Sequence, residues 1–303
     1  MDRLLRKLTK RLLGPYLGNA RFMFAAPLAY PPGHFYSPIC DPAELTRHYR
    51  DPATTPPPDA LPGIDLAHGT QLQLWEQLAP FLADASALVT GKLCKRYPKP
   101  SLSFGVGDAI IYCCMLRHLR PAQIIEIGAG SSSALALDTL DQFFADRPRC
   151  CFIDPYPALL RSMLTPEDNA TVEVIESGIQ DVPLARFDVL GNNDILFIDS
   201  THIVKTGSDV TYELFELLPR LRSGVVVHFH DIFYPFEYPR QWAVELNYSW
   251  NEIYALRAFL TGNRDWEILF FNDYFARIER ARVAQDAPEI LTNPVGSLWL
   301  RRR

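Results

Sequence analysis

Residues 124–130 read IIEIGAG, an apolar run interrupted by one carboxylate and closed by two glycines. An uninterrupted apolar run of this length fits a strand buried on both faces. Gly128 and Gly130 at its end allow a sharp turn and a close approach of backbone to ligand. Three serines follow (Ser131, Ser132, Ser133), and then the helical pattern ALALDTLDQFF, whose first turn carries unpaired N–H donors. Strand, glycine turn and helix in that order place a ligand site at the carboxyl end of the strand.

The same alternation continues down the chain. Short β-rich runs stand at 124–128 (IIEIG), 150–154 (CCFID), 171–176 (TVEVIE), 194–199 (DILFID) and 224–229 (GVVVHF), with helical stretches between them. This pattern predicts βα units, a mostly parallel sheet and helices on both faces, an α/β doubly wound fold. Two later runs, 266–271 (WEILFF) and 297–300 (SLWL), have no helix of adequate length immediately between them and read as a closing antiparallel pair. Upstream, dense prolines between Ala25 and Gly63 exclude a long helix or central strand. Helical periodicity returns at 70–87 and again at 107–119. The expected organisation is an extension over 1–100, comprising an amphipathic helix, a proline-rich stretch and a helix, followed by a catalytic domain over 101–303.

The 303 residues are 48% hydrophobic, enough for a sizeable core. A formal charge of −5 and a pI near 5.8 give no global attraction to nucleic acid, and no such partner is expected. No apolar stretch reaches the length of a transmembrane helix and no secretory cleavage site is evident, so a cytoplasmic protein is expected. The six cysteines include two adjacent pairs without CxxC spacing, which fits free thiols in a reducing compartment. Residues 1–13 place leucines on one side of a helix and basic residues mostly elsewhere. That face could touch an anionic membrane surface or a partner, or could pack on its own domain; a transit peptide is the weaker third reading.

A dinucleotide fingerprint would need a third glycine at position 133, where the chain has serine, and this argues against NAD. The next strand ends in Asp154, roughly 25 residues beyond the first glycine, where a carboxylate can accept both hydroxyls of a ribose. The fourth and fifth strands end in a second group. Asp199 closes one and is followed by His202; His228 and His230 share a face of the other by the two-residue strand period, with Asp231 at its mouth. His228, inside an apolar strand, reads as a core residue. Asp199, His202, His230 and Asp231 read as a functional cluster, since four ionisable groups are costly to bury without purpose.

The run EIGAG at 126–130, the strand-end Asp154 and the two terminal strands resemble class I S-adenosylmethionine-dependent methyltransferases, over about residues 101–303. The stretches FIDSTHIVKTGSDV (197–210) and VHFHDIFYPFEYP (227–239) further resemble a bacterial subgroup of that superfamily. The resemblance implies a Rossmann-like seven-stranded sheet in the order 3-2-1-4-5-7-6 with the last strand antiparallel. It implies S-adenosylmethionine as cofactor, with Gly128, Ala129, Gly130 and Ser131 facing the methionine portion and Glu126 supporting that loop or the amino group. Asp154 would hold the ribose, Pro155 and Tyr156 would lie beside the adenine, and Gly178 and Ile179 would close over its edge. Asp199 would stand at the junction of cofactor and acceptor.

Catechol-type O-methyltransferases are similar in carrying a carboxylate after strand four and an Asp-Asn pair after strand five around magnesium, with a lysine base. Here His202 stands at the lysine's place and His230-Asp231 at the pair. Asp199, His230 and Asp231 are therefore the candidate metal ligands, for Mg²⁺ or, given the imidazole, a transition metal. His202, then His230, are candidate proton acceptors, with Asp199 beside them. The expected reaction is O-methylation of a small hydroxylated acceptor such as a sugar, phenol or secondary metabolite, walled by Tyr234, Phe236 and Tyr238. The aromatic stretch 242–259 is expected as one helix, and Arg240 as a surface ion pair or a contact to an acidic acceptor. Self-association is a further expectation. Competing readings are a non-catalytic adenosyl-binding or scaffolding module and an oxygenase with iron at His228, His230 and Asp231.

Overall fold

The computed structural model describes residues 29–49, 57–91, 93–99, 101 and 103–303. The amphipathic segment 1–13 and parts of the proline-rich stretch lie outside the described residues. The chain divides into two compact units, one of 1–54 with Arg240–Ser249 and the other of Thr55–Pro239 with Trp250–Arg303. The division does not fall at residue 100. The long helix His68–Thr90 belongs to the larger unit, where Leu74, Trp75, Leu78 and Leu82 enter the same core as helix Val106–Leu119. In the smaller unit, the helix Pro42–His48 is capped by Asp41, whose carboxylate accepts the N–H groups of Ala43 (2.8 Å) and Glu44 (3.1 Å).

The larger unit is built on a seven-stranded sheet in the order β3-β2-β1-β4-β5-β7-β6. Its strands are β1 (Gln123–Ile127), β2 (Arg149–Ile153), β3 (Val172–Ile175), β4 (Ile195–Ile198), β5 (Val226–His230), β6 (Trp266–Phe271) and β7 (Ser297–Arg302). The first five pair in parallel, and β7 runs antiparallel to both β5 and β6. Fold class and strand order thus agree with expectation. Complete burial of β4 and β5 explains their near-continuous apolar sequence.

Register sets the site. One lateral row crosses the sheet as Phe152, Glu126, Phe197, His228, Trp299 and Phe270, each beside the next. Tyr112 of the helix Val106–Leu119 lies against this row, its ring centroid 4.9 Å from Phe197 and 5.8 Å from Trp299. Side chains two residues further along a strand return to the same face. From β2, β1, β4 and β5 these are Asp154, Gly128, Asp199 and His230. An aromatic row therefore floors a polar row at the carboxyl rim.

Among the described residues, no helix is long and apolar enough to cross a membrane. All six cysteines are free, with Cys113, Cys114, Cys150 and Cys151 buried. The helix expected over 242–259 is divided: a helical turn covers Gln241–Glu245, and the helix Glu252–Leu260 starts anew. Between them Asn247 takes a left-handed conformation (φ 52°). The second helix is anchored by its own start, where Asn251 and Glu252 donate backbone N–H groups to the His202 carbonyl at 3.0 and 3.1 Å.

Candidate active site

The glycine turn and Asp154 form one structure. Asp154 accepts the Ala129 N–H at 3.0 Å through one carboxylate oxygen and the Tyr156 N–H at 2.6 Å through the other. Gly128 has φ +81°, and a β-carbon there would stand 1.8 Å from the Asp199 carbonyl oxygen. Only glycine fits, and its fit fastens the turn after β1 to the end of β4. Gly130 donates its N–H to the Ser133 hydroxyl at 3.1 Å, and the Ser131 hydroxyl lies 3.1 Å from that of Ser103. Pro155 is exposed, Tyr156 is 85% exposed, and Ile179 is buried while Gly178 is partly open at the end of β3.

Glu126 is wholly buried beneath this turn. One oxygen accepts the Ser132 hydroxyl, and the other has no hydrogen-bond partner among the described residues. Burial pushes its carboxyl up to about 8, against the opposing hydrogen bonds of Ser132 and Ser133. It is a neutral acid near pH 7.

At the ends of β4 and β5 the four expected residues meet. His202 Nε2 lies 3.4 Å from Asp199 Oδ1 and 3.5 Å from Asp231 Oδ2. His230 Nδ1 lies 3.4 Å from Asp199 Oδ1 and 3.5 Å from Asp231 Oδ1, and has no hydrogen-bond partner among the described residues. His202 and Asp231 both hold left-handed backbone (φ 60° and 58°), a strained state for non-glycine residues that concentrates at functional sites. Burial opposes charge on both imidazoles, yet the carboxylates prevail: His202 is held well above the ordinary histidine range, and His230 rises to about 10. Burial also opposes the charge on Asp199, but His230 and His202 hold its carboxyl below the usual range, whereas burial takes Asp231 up to about 6.

One ligand atom from each of Asp199, His230 and Asp231 falls within 4.8 Å of the others. The unpartnered, buried His230 Nδ1 and two converging carboxylates fit a divalent cation, and the mixed nitrogen and oxygen donors suit Mn²⁺, Fe²⁺ or Zn²⁺.

Three groups do not reach this rim. His228 is enclosed by Phe197 (ring centroids 3.9 Å apart) and Trp299 (4.5 Å), and burial lowers its basicity well below normal. It is the core residue expected, and an iron triad that includes it is ruled out by this enclosure. Tyr234, Phe236 and Tyr238 are 2%, 1% and 4% exposed. They pack on Phe271 and Tyr274 or on Trp250 and Tyr254, so in this conformation none offers a free ring face to an acceptor. Aromatic rings beside the cluster are Trp250, 4.5 Å from the His202 ring, and the buried Phe104, 5.1 Å from the His230 ring. Arg240 pairs with Glu245 at 2.9 Å, the surface ion pair anticipated.

Sequence reasoning missed two residues. Glu252, 1% exposed, places Oε2 2.7 Å from His202 Nδ1. Asp108, 3% exposed, lies 3.9 Å from His230 Nε2 and accepts from the Asn272 side chain (2.7 Å) and the Gly296 N–H (2.9 Å). Asp108 sits in an otherwise apolar helix, which is a usable signal; Glu252 lies 50 positions from its partner, and nothing local marks it.

A doubly wound sheet in this order, with a glycine turn closed by the next strand's aspartate, defines a Rossmann-like methyltransferase architecture. Comparison with known proteins agrees: a family described as "Methyltransferase domain" matches residues 125–232. A protein of Archaeoglobus fulgidus, itself described as uncharacterized, is 35% identical over 169 residues, which make up 55% of this chain and 76% of that one. By the family match, residues 125–232 are a methyltransferase domain. Among solved structures, the SAH-bound methyltransferase PaMTH1 of Podospora anserina is 14% identical at a TM-score of 0.43, with 81% of this chain and 99% of that chain covered. The O-methyltransferase TomG of Streptomyces achromogenes, in complex with SAM, is 14% identical at a TM-score of 0.42, covering 77% and 96%. At these scores neither likeness bears on the acceptor or on a metal.

Proposed function

We propose that this methyltransferase modifies a hydroxyl of a small acceptor, with His202 taking the hydroxyl proton and Asp199, His230 and Asp231 holding a divalent cation. One observation carries the reading: the residue that packs against the glycine turn, Asp199, is also one of the two carboxylates shared by both imidazoles. Cofactor turn and proton-handling cluster are thus joined at one point, as attack by an acceptor oxygen on a bound methyl group requires.

When bound, S-adenosylmethionine supplies an electrophilic methyl group on a sulfonium. On the chain's side, Gly128, Ala129, Gly130 and Ser131 would cradle its methionine portion, and Asp154 would accept the ribose hydroxyls by giving up its contacts to Ala129 or Tyr156. Pro155 and Tyr156 offer an open surface beside the adenine, with Gly178 and Ile179 at its edge. Glu126, neutral when the site is empty, would ionise beside the amino group. A cation between Asp199, His230 and Asp231 would neutralise both carboxylates, and His202 Nε2 would then be free to accept a proton instead of holding one against them. Where no cation occupies its Nδ1, His230, turned to the same two carboxylates, is the second candidate for that proton. The acceptor is a sugar, a phenol or a related metabolite, and Trp250 is the ring placed to lie against it.

The test is release of S-adenosylhomocysteine across a panel of phenols and sugars, with Mn²⁺ or Mg²⁺ and after chelation. Loss of a general base costs about 10²–10⁴-fold, so His202→Gln should lower turnover by that amount while S-adenosylmethionine still binds. Full turnover by His202→Gln would end the base assignment; turnover unaffected by chelation would end the metal assignment.

A further inference from the structure

Two buried glutamates near His202 are not used by the reaction as described, and one of them, Glu252, lies behind the ring on the side away from Asp199 and Asp231. Glu252 is the first residue of the helix Glu252–Leu260, and its Oε2 lies 2.7 Å from His202 Nδ1. The grip is double. The N–H groups of Asn251 and Glu252 also hold the His202 carbonyl, and the Asn251 side chain accepts from the Val204 N–H and donates to the Val204 carbonyl. The loop that carries His202 is thereby fixed in backbone and ring by one helix start, which accounts for a left-handed histidine persisting there.

Glu213 is the second. It is fully buried, opens the π-helical turn Glu213–Leu217 and accepts the Ser200 hydroxyl at 3.1 Å. Burial first, and then the charge of Glu252, push its carboxyl well above the usual range, so it is a neutral companion. Such wide turns are rare and collect at functional sites.

We propose that Glu252 is the positioning residue of the acceptor side. It turns His202 Nδ1 inward and presents Nε2 to the rim of Asp199 and Asp231. The inference rests on the reading of His202 as proton acceptor. An imidazole free to rotate would offer either nitrogen to the acceptor; one tied at Nδ1 offers only Nε2, and it keeps that tie when Nε2 gains a proton.

The test needs no acceptor. In the full-length protein labelled with ¹⁵N-histidine, an Nδ1–H donated to a buried carboxylate gives a far-downfield, slowly exchanging proton, and its loss in His202→Gln assigns it. Glu252→Gln, which keeps shape but removes the charge, is expected to move that resonance into the ordinary imidazole range. Glu252→Asp should move it part of the way, and Glu213→Gln should leave it in place. Circular dichroism on each variant confirms that the fold is retained. A resonance unchanged in Glu252→Gln, or no His202-dependent downfield proton in the wild type, overturns the proposal. Its failure is separable from that of the base reading, which turns on turnover by His202→Gln whatever the spectrum shows.

Discussion

Glu126 offers the most exacting test of the site's electrostatics. It is 0% exposed, and its carboxyl titrates at about 8 in the folded chain. The unfolded value is about 4.3. Because the folded value is raised, the stability linked to this group is fully present below the unfolded value and is lost as pH rises through the folded one. Summing the two titrations, folding costs about 1 kcal/mol at this site at pH 5 and about 3–4 kcal/mol at pH 7. The wild type should therefore gain about 2–3 kcal/mol relative to Glu126→Gln on going from pH 7 to pH 5, since glutamine keeps the shape and cannot ionise. Urea unfolding of both proteins at half-unit pH steps, compared as a difference so that all other groups cancel, measures this directly. A flat difference curve between pH 5 and pH 8 refutes the argument, for it would mean that Glu126 is solvated or paired.

The same titration bears on the cofactor. At pH 7 a group titrating at about 8 carries about nine-tenths of a proton. An ammonium placed beside Glu126 favours the ionised form and would expel that proton. Calorimetry of S-adenosylmethionine binding in buffers of different ionisation enthalpy should register release of nearly one proton in the wild type and none from this site in Glu126→Gln. Equal proton release by both proteins would place the amino group elsewhere.

Three further outcomes follow from single contacts. Gly128→Ala sets a methyl group against the Asp199 carbonyl in a left-handed conformation and should cost more than about 4 kcal/mol or abolish folding, read from denaturation midpoints. Arg96 is buried and bonds Asp168 through two nitrogens (2.7 and 2.8 Å) and Asp138 and Asp141 through the third (2.9 and 2.8 Å). Arg96→Met should cost about 3–5 kcal/mol; burial opposes the charge of Asp168 but Arg96 holds its carboxyl low, so the wild-type advantage should be present above pH ~4 and shrink on acidification. His228→Leu should leave neutral-pH stability within about 1 kcal/mol, since neither ring nitrogen has a partner among the described residues. It should also resist acid better, because the depressed histidine loses stability as pH falls below about 6.5.

How far the sequence could be read depended on the range of the interaction. The strands were legible because burial on both faces forces continuous apolar runs, and the polar rim because Asp154, Asp199 and Asp231 sit at the ends of those runs. Gly128 was legible as a turn residue, although the atom that excludes a side chain there, the Asp199 carbonyl oxygen, belongs to another strand. What no pattern encodes is a partner from a distant element. Glu252 begins an ordinary amphipathic helix, and Glu213 lies in a turn whose widened geometry leaves no periodic trace. The aromatics after Asp231 misled for a related reason: proximity to the rim in sequence does not decide which way a ring points, and Tyr234 and Phe236 turned inward onto Phe271 of β6 while Tyr238 packs on Trp250 and Tyr254. The helix expected through 242–259 failed because Asn251 serves the 202–204 loop, and the contact outweighs the apolar period.

The two rows of the sheet bear on each other. Phe152, Phe197, Trp299 and Tyr112 exclude water beneath the rim, and this exclusion drives Glu126 towards neutrality and strips His228 of charge. One step higher, the same dry floor meets four ionisable groups that are only partly open: Asp199 is 24% and Asp231 14% exposed at the side chain, His202 7% and His230 5%. In such surroundings electrostatic coupling is strong, and the cluster must be neutralised by pairing, by protons or by a cation. With protons, both imidazoles lean on the carboxylates and neither can take another. Were a cation held by Asp199, His230 and Asp231 as proposed, it would supply the positive charge those protons now carry and leave His202 Nε2 as a vacant basic nitrogen. On the proposed reading the cation and the base would act as one device, so chelation should abolish the turnover that depends on His202.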